Sequence, residues 1–217
     1  MNYCTLGSVI CAALVLCDSM ADGQIFGAGG KLEQVAKLPH SPGGMTITPL
    51  GSIILSWNQY QETAERVVKI PLNGDILPFP NAATSRGEKN APFVIDAVLG
   101  VQCDREGVVW MLDHGRRSEE VPKLIGWDSG KNELARIIYL PSPATRGNSF
   151  INDLVIDPQE PFIYITDPAS GRDSALISVN LETGLSRRLL EGHPSVIPED
   201  IDIVVDGNPI TVIRPDG

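Results

Sequence analysis

Basic residues, cysteines and aromatic residues are all scarce in this sequence. Lys and Arg number 17 against 27 Asp and Glu, which gives a formal net charge of −10, and aromatic residues make up 6% of the chain. No run of basic residues occurs anywhere. Because nucleic acids and anionic membrane surfaces bind basic patches, we expect neither as a partner. The acidic surplus favours a neutral or cationic small-molecule ligand instead.

The short motifs of common cofactor sites and active sites are also absent. The sequence has no His/Cys cluster with zinc spacing, no phosphate-binding P-loop, no G-x-G-x-x-G and no G-x-S-x-G. Each of these patterns serves one specific chemistry. We therefore predict no zinc site and no resident nucleotide cofactor.

One apolar segment, Thr5–Cys17, stands apart from the rest of the chain and is too short for a stable transmembrane anchor. Ser19 and Ala21 place small residues at the −3 and −1 positions before Asp22, as at a signal-peptide cleavage site. No Lys or Arg precedes the segment, and a buried N-terminal helix is the alternative. We expect residues 1–21 to be a signal peptide and the protein to be secreted, into the extracellular space or the periplasm.

Export would remove three of the 4 cysteines and leave Cys103. The mature chain then has no internal disulfide. Cys103 lies in an apolar stretch with Val101, and this position predicts a buried, unreactive thiol rather than a nucleophile.

The remainder of the chain repeats one pattern, two successive β-hairpins. The glycines in the second hairpin turns, Gly74, Gly130 and Gly184, are 56 and 54 residues apart, and the first hairpins recur with nearly the same spacing. Turns of this kind supply the positive φ that a tight hairpin needs. The predicted strands are 43–48, 52–57, 66–72, 76–79, 99–104, 108–113, 123–127, 134–140, 152–157, 162–167, 175–181 and 186–190.

Four antiparallel strands in each repeat of roughly 50 residues are typical of a β-propeller blade. We predict an all-β fold, a β-propeller, with blades at about residues 41–80, 97–141 and 150–191 and the start of another after residue 200. The alternative is a β-sandwich, but sandwiches do not share one period in both hairpins.

The domain predicted for residues 22–217 is an incomplete propeller. It has room for about three to four blades, fewer than a closed ring usually contains. Lys31–Leu38 is predicted as an extra strand before the first repeat. In propellers such a strand usually completes the last blade, and we expect that blade to be absent here. An open ring exposes strand edges and an apolar blade face, so we expect self-association through the blade edges.

Several stretches resemble the major royal jelly protein/Yellow family, especially its bacterial members. The resemblance implies a secreted, six-bladed propeller of which this chain is the N-terminal portion. It does not imply one activity, because some relatives bind small amines or lipids and others are regarded as dopachrome-converting enzymes. The stretches follow the family's order: Leu32–Ala36, Leu38–His40, Gly107–Asp113, Phe150–Asp157, Tyr164–Pro168, Ala175–Ile177 and His193–Ser195.

A candidate binding site follows from the blade geometry. In an antiparallel meander the first strand begins, and the second strand ends, at the same face of the propeller. Carboxylates close to an indole ring suit a cation, so we expect a small ligand at this central rim. The alternative is structural, with the aspartates capping turns or bonding backbone. The candidate residues are Asn152, Asp153, Asp167, Asp113, His114 and Trp57.

Calcium is a second candidate occupant of the rim. Gluconolactonase-like propellers hold a divalent ion with Glu, Asn and Asp on inner strands, and Asn152 matches one such position. The other matching positions offer no side-chain oxygen, which argues against metal-assisted lactone hydrolysis. They are Leu99, Gly100, Gly43 and Gly44.

Three functions remain open from the sequence. The leading one is a secreted protein that binds a small ligand at the rim formed by Asn152 and Asp153. The second is an enzyme, either a lactonase-like hydrolase or a dopachrome-type isomerase, with acid/base transfer by Asp153 and Asp167. The third is a protein-interaction scaffold that uses outer loops such as Thr84–Asn90.

Overall fold

The computed structural model describes residues 34–115, 119–169, 172–197, 199, 201 and 203–210. The predicted signal segment and the first three residues of the predicted strand Lys31–Leu38 lie outside these ranges. Within them, no helix is long and apolar enough to cross a membrane.

Three four-stranded antiparallel sheets follow one another along the chain, each with its strands in sequential order. We call them blades 1, 2 and 3. The predicted strands are confirmed to within two residues at each end. Blade 1 comprises β1 (Pro42–Ile47), β2 (Ile53–Trp57), β3 (Val67–Ile70) and β4 (Leu77–Pro78); blade 2 comprises β5 (Val98–Cys103), β6 (Val108–Asp113), β7 (Lys123–Asp128) and β8 (Glu133–Tyr139); blade 3 comprises β9 (Leu154–Ile156), β10 (Phe162–Asp167), β11 (Ala175–Asn180) and β12 (Ser186–Leu189).

The hairpin turns follow from local chemistry. Gly51 and Gly107 close the first hairpins of blades 1 and 2 with φ of +80° and +88°, where a side chain would be strained. In the second hairpin of blade 2 the left-handed residue is Asn132 (φ +57°), not the predicted Gly130. The reason is Asp128, whose carboxylate accepts hydrogen bonds from the amides of Gly130 (3.0 Å) and Lys131 (2.9 Å) and moves the left-handed residue further along the turn.

Successive blades pack face to face through apolar side chains. Strand β5 contacts β1 on one side and β9 on the other, so the first strand of each blade is the inner one, as in a propeller. One cluster between blades 1 and 2 contains Ile54, Val67, Val101, Val109, Met111 and Ile125; another between blades 2 and 3 contains Leu112, Leu124, Leu154, Ile163, Ile165 and Ile177.

A repeated hydrogen bond joins the inner strands of neighbouring blades. The Thr46 hydroxyl of β1 accepts from the Cys103 amide of β5 at 2.9 Å, and the Gln102 side chain of β5 accepts from the Ile156 amide of β9 at 2.8 Å. Thr46 and Gln102 occupy equivalent places in their strands. Val155 has that place in β9; it has no side-chain acceptor and is 52% exposed. The junctions of blade 1 with blade 2 and of blade 2 with blade 3 therefore each have a side-chain acceptor on the first inner strand. Strand β9 has no such acceptor at the equivalent place.

The predicted strand Lys31–Leu38 is wrong over its described part. Residues 34–38 form no strand. Instead, Ala36 and Leu38 pack on the apolar face of blade 1 that points away from blade 2, against Leu55 and Val68. The segment buries side chains on a sheet face rather than pairing with a strand edge, and its few apolar residues are compatible with either arrangement.

The loop 84–90 is only partly an outer loop. A single helical turn, α1 (Ala82–Ser85), begins at Asn81, whose side chain accepts from the Thr84 amide. Thr84 and Ser85 are fully buried, and the Ser85 hydroxyl donates to Val67 O at 2.7 Å. Arg86 and residues 88–90 are exposed. The part of this loop that is accessible to a partner therefore begins at Arg86.

After blade 3 a one-turn 3₁₀ helix (Pro194–Val196) leads to a short hairpin, β13 (Val204–Val205) with β14 (Asn208–Pro209). All four of these strand residues are exposed. This hairpin lies where the sequence predicts the start of another blade.

Replacing Ser56 by alanine should loosen the junction between blades 1 and 2. Its fully buried hydroxyl donates to Leu99 O at 2.6 Å and accepts from the Gly44 amide at 2.9 Å. Ser56→Ala removes the hydrogen-bond partner of both backbone groups. We therefore expect urea denaturation to show a free energy of unfolding that is lower by about 1–3 kcal/mol. The matched control is Ser178→Ala, which removes one long 3.5 Å contact and should cost far less. Equal losses would contradict the assignment.

Candidate functional site

A cavity of about 380 Å³ opens where the inner strands begin, and we call it the mouth. The first residues of β1 and β5, the segment before β9 and the loop after β2 contribute to it. The equivalence inferred from the repeats is therefore observed in space. Its lining residues are Pro42, Gly43, Gly44, Asn58, Gln59, Tyr60, Leu99, Gly100, Phe150, Asn152 and Asp153.

Each inner strand is irregular at this end. In β1 the pairing moves three residues, from Pro42 to Met45, while its partner β2 moves two; β5 does the same between Val98 and Val101. Before β9, Asn152 and Asp153 both lie opposite Thr166: the Asn152 amide donates to Thr166 O, and the Thr166 amide donates to Asp153 O, each at 3.0 Å. Such bulges redirect side chains from the regular strand alternation.

The bulge glycines let neighbouring blades approach closely. A Cβ on Gly44 would lie 2.6 Å from Leu99 O, and a Cβ on Gly100 would lie 2.9 Å from Asp153 Oδ1 and 3.1 Å from Asp153 Cα. Neither glycine has a left-handed φ. Their lack of a side chain therefore serves the contact between strands, and it leaves bare backbone on two sides of the mouth.

Asn152 and Asp153 contribute the polar side chains of the third side. Both are exposed and line the mouth. Asp153 is partly held in place, because its Oδ1 accepts the Leu154 amide at 2.8 Å and its own amide donates to Thr166 Oγ1 at 3.2 Å. The two residues predicted as the centre of the site are thus brought together at the cavity.

Asp113 and Asp167 are not on the cavity wall, contrary to the sequence prediction. They are 0% and 1% exposed. Asp113 accepts from the amides of Asp96 (2.8 Å) and Ala97 (2.9 Å) and pairs with Lys123 Nζ at 3.1 Å. A strand end is polar in either environment, so the sequence pattern does not distinguish a rim carboxylate from one that anchors the preceding loop.

Asp167 has the same function in blade 3. It accepts from the Ser149 hydroxyl (2.6 Å) and the Phe150 amide (2.8 Å), and it pairs with Arg188 at 2.7 Å. Burial lowers the pKa of Arg188, but the bonds to Asp167 and Glu191 outweigh that effect and hold this pKa above its usual value. The pair fixes Phe150 at the edge of the mouth.

Trp57 and His114 are also buried, at 4% and 5% exposure. The Trp57 ring meets the edge of His40, with ring centroids 5.4 Å apart. His114 Nε2 contacts Gln59 Oε1 at 2.5 Å, and its ring lies 5.6 Å from that of Phe150. His114 thus contacts two lining residues, whereas Trp57 packs with Leu55 and Val68 and does not line the mouth.

Four lining residues with polar or aromatic side chains are not among the candidate residues: Asn58, Gln59, Tyr60 and Phe150. Three of them follow directly after β2, and Phe150 precedes the Asn152–Asp153 bulge. The rule that located Asn152 would have found them had it been extended into the adjoining loops. Strand ends alone do not predict them, because the adjoining loops contribute to the cavity wall.

The donor set at the mouth does not suit calcium. Of the described residues that line it, Asp153 alone has a carboxylate, whereas calcium takes six to eight oxygens, several from carboxylates. Over the described parts of the chain, no group of three or more His, Cys, Asp and Glu side chains is placed to hold a metal ion.

Removing the Asp167 carboxylate should destabilise blade 3. Asp167→Ala removes the buried carboxylate of the pair, leaves Arg188 with Glu191 as its remaining ion-pair partner, and removes an acceptor of Ser149 and Phe150. We therefore expect urea denaturation to show a free energy of unfolding lower by about 3–5 kcal/mol. The control is Glu65→Ala, which breaks the exposed pair with Arg86 and should cost no more than about 1 kcal/mol. A cost for Asp167→Ala as small as the control would show that the buried pair is not structural.

The Cys103 thiol should be almost inert. Burial, assisted by the charge of Asp104, raises the pKa of this thiol to about 11, so about one molecule in a thousand is thiolate at pH 8. Alkylation by iodoacetamide, followed on the Cys103 peptide by mass spectrometry, should be about a hundredfold slower than at an exposed turn cysteine made by Thr183→Cys. Equal rates would contradict the burial argument.

Three solved structures have similar folds at low identity. A nutrient-binding protein from Bacteroides ovatus is 12% identical (TM-score 0.46) over 71% of this chain and 32% of its own. A gluconolactonase from Xanthomonas campestris is 15% identical (TM-score 0.46) over 69% of this chain and 47% of its own. YCF48 bound to D1 peptide is 10% identical (TM-score 0.47) over 76% of this chain and 44% of its own. The chain thus spans less than half the length of each of these proteins.

No curated protein sequence matches the chain. The family model of the major royal jelly protein matches residues 97–213. This range begins just before β5 and includes blades 2 and 3. This is more than half of the 217 residues. The stretches quoted from Leu32 to His40 lie outside the match. On this evidence the chain, built from propeller blades, belongs to the major royal jelly protein family.

Proposed function

We propose that this protein binds a small organic cation at the mouth, with Asp153 as the anionic group. The observation that carries the proposal is an exposed carboxylate at a cavity whose other walls are neutral. Among the described lining residues, Asp153 is the one with a charge at neutral pH. No described Lys, Arg or His is ion-paired with it.

The surroundings of Asp153 support a cation with an apolar body. Tyr60 is 83% exposed beside the cavity, and Phe150 contributes a second ring. Aromatic faces attract cations and cover apolar groups. Asn152 and Asn58 add amide groups that orient a ligand through hydrogen bonds. The volume of about 380 Å³ lies within the range of small-molecule sites.

The enzymatic alternative has less support. A carboxylate acid/base mechanism through Asp153 and Asp167 needs both groups at the substrate. Asp167 is 1% exposed and is engaged by Ser149, Phe150 and Arg188. Only one member of the pair faces the mouth, so we favour binding over turnover.

The cellular setting is part of the same proposal. The predicted signal segment before Asp22 directs the protein out of the cytoplasm, so the ligand would be one that is met after export. The acidic composition of the chain, with net charge −10, favours the approach of a cation and disfavours anions.

Binding can be tested with benzylamine and its neutral isostere benzyl alcohol. We expect calorimetry to show benzylamine binding about tenfold more tightly, since a charge-assisted bond to Asp153 is worth about 1.5–3 kcal/mol before losses to solvent. Asp153→Asn should remove that preference, and Asn152→Ala/Asp153→Ala should abolish binding. Asp75→Asn is the charge-matched control, because Asp75 lies in the exposed turn after Asn73.

Each outcome distinguishes the three functions. Equal affinity for amine and alcohol in the wild type would refute the cation proposal. Conversion of a lactone or of dopachrome that is lost in the double variant would establish the enzyme instead. If neither probe binds and the double variant behaves as wild type in every assay, the mouth is not a ligand site.

A further inference from the structure

We infer that Gly100 is a positioning residue for Asp153, and that its missing side chain sets the orientation of the Asp153 carboxylate in the mouth. The inference deepens the proposed function and rests on it for the link to ligand affinity. Gly100 lies on the bulge of β5, one blade away from the group that it positions.

The contact is short and specific. A Cβ at Gly100 would meet Asp153 Oδ1 at 2.9 Å, Asp153 Cα at 3.1 Å and Asn152 O at 3.3 Å. The same Oδ1 accepts the Leu154 amide at 2.8 Å. Oδ1 therefore lies between the Leu154 N–H and the bare face of Gly100, and this leaves Oδ2 as the oxygen available to a ligand.

The backbone conformation does not account for this glycine. The φ of Gly100 is outside the left-handed region, so an alanine is allowed by the local conformation. Gly147 also lacks a left-handed φ, and a Cβ there meets no atom within 4 Å. The difference between the two positions is the presence of Asp153.

The preceding junction provides a contrast. Gly44 has the equivalent place in β1, but its Cβ would meet backbone, namely Leu99 O at 2.6 Å and Val101 N at 3.2 Å. At Gly44 the missing side chain serves packing alone. At Gly100 the nearest atom is Oδ1 of Asp153, which lines the cavity. The missing side chain at this position therefore affects the Asp153 carboxylate.

The first experiment uses NMR to follow the hydrogen bond between the Leu154 amide and the Asp153 carboxylate, with no ligand present. In wild type the Leu154 amide resonance should shift with pH as Asp153 titrates, because its N–H donates to Oδ1. In Gly100→Ala this pH-dependent shift should fall to less than half, since Oδ1 is displaced. Gly147→Ala, where a Cβ meets no atom within 4 Å, should retain it. An unchanged shift in Gly100→Ala would overturn the inference, whatever the result of the binding assay.

The second experiment is a double-mutant cycle with benzylamine. Gly100→Ala should weaken binding about five- to tenfold when Asp153 is present and less than about twofold in the Asp153→Ala background. Equal losses in both backgrounds would mean that Gly100 shapes the cavity without acting through Asp153. If wild type does not bind benzylamine, the proposed function fails, and the Leu154 resonance still decides the inference.

Folding provides the last control. If Gly100→Ala alone does not fold but Gly100→Ala/Asp153→Ala does, the clash lies with the carboxylate and the inference holds. If both fail to fold, Gly100 serves the contact with the Asp153 backbone, as Gly44 does with Leu99, and the inference is overturned.

Discussion

The close approach of the inner strands around the axis is the constraint on which the rest of this structure depends. Gly44 and Gly100 admit the next inner strand to within a distance that a methyl group would block. Ser56 and the side chains of Thr46 and Gln102 then satisfy backbone groups across the gaps. Because polar backbone left unpaired at such a contact is costly, these few residues determine how the blades are spaced. Apolar side chains then pack between blades that are held at this spacing.

Buried charge anchors the loops that enter the inner strands. Asp113 and Asp167 each accept loop hydrogen bonds and pair with a cation of their own blade, Lys123 or Arg188. Such pairs contribute little net stability compared with apolar packing, but losing one member is expensive. Their value lies in holding each loop in one place. Phe150 and the bulge of Asn152 and Asp153 are positioned in this way.

The three blades are equivalent in topology and unequal at the mouth. Blades 1 and 2 present the glycine backbone of their inner strands there, and blade 1 adds Asn58, Gln59 and Tyr60 from the loop after β2. Blade 3 presents Asn152 and Asp153, and the Asp153 carboxylate is the one acidic group of the described lining. Such a site combines neutral walls with a small number of placed polar groups. The family match covers the blades that carry Asn152, Asp153 and the buried aspartates. Binding of a small cation is the function that this arrangement favours.

The sequence by itself determined the strands, the hairpin turns and the blade period, since alternation of apolar residues and turn chemistry are local signals. It also placed Asn152 and Asp153 at the rim. Tertiary structure alone decided which rim residues face the cavity. Asp113, Asp167, Trp57 and His114 stand at the predicted strand ends, yet neighbouring loops bury them, while Tyr60 and Phe150 reach the mouth from those loops. The physical reason is that the loops folded against these strand ends decide whether they are buried, and no local sequence pattern encodes that contact. The bulges of the inner strands act separately, on the side chains that reach the mouth.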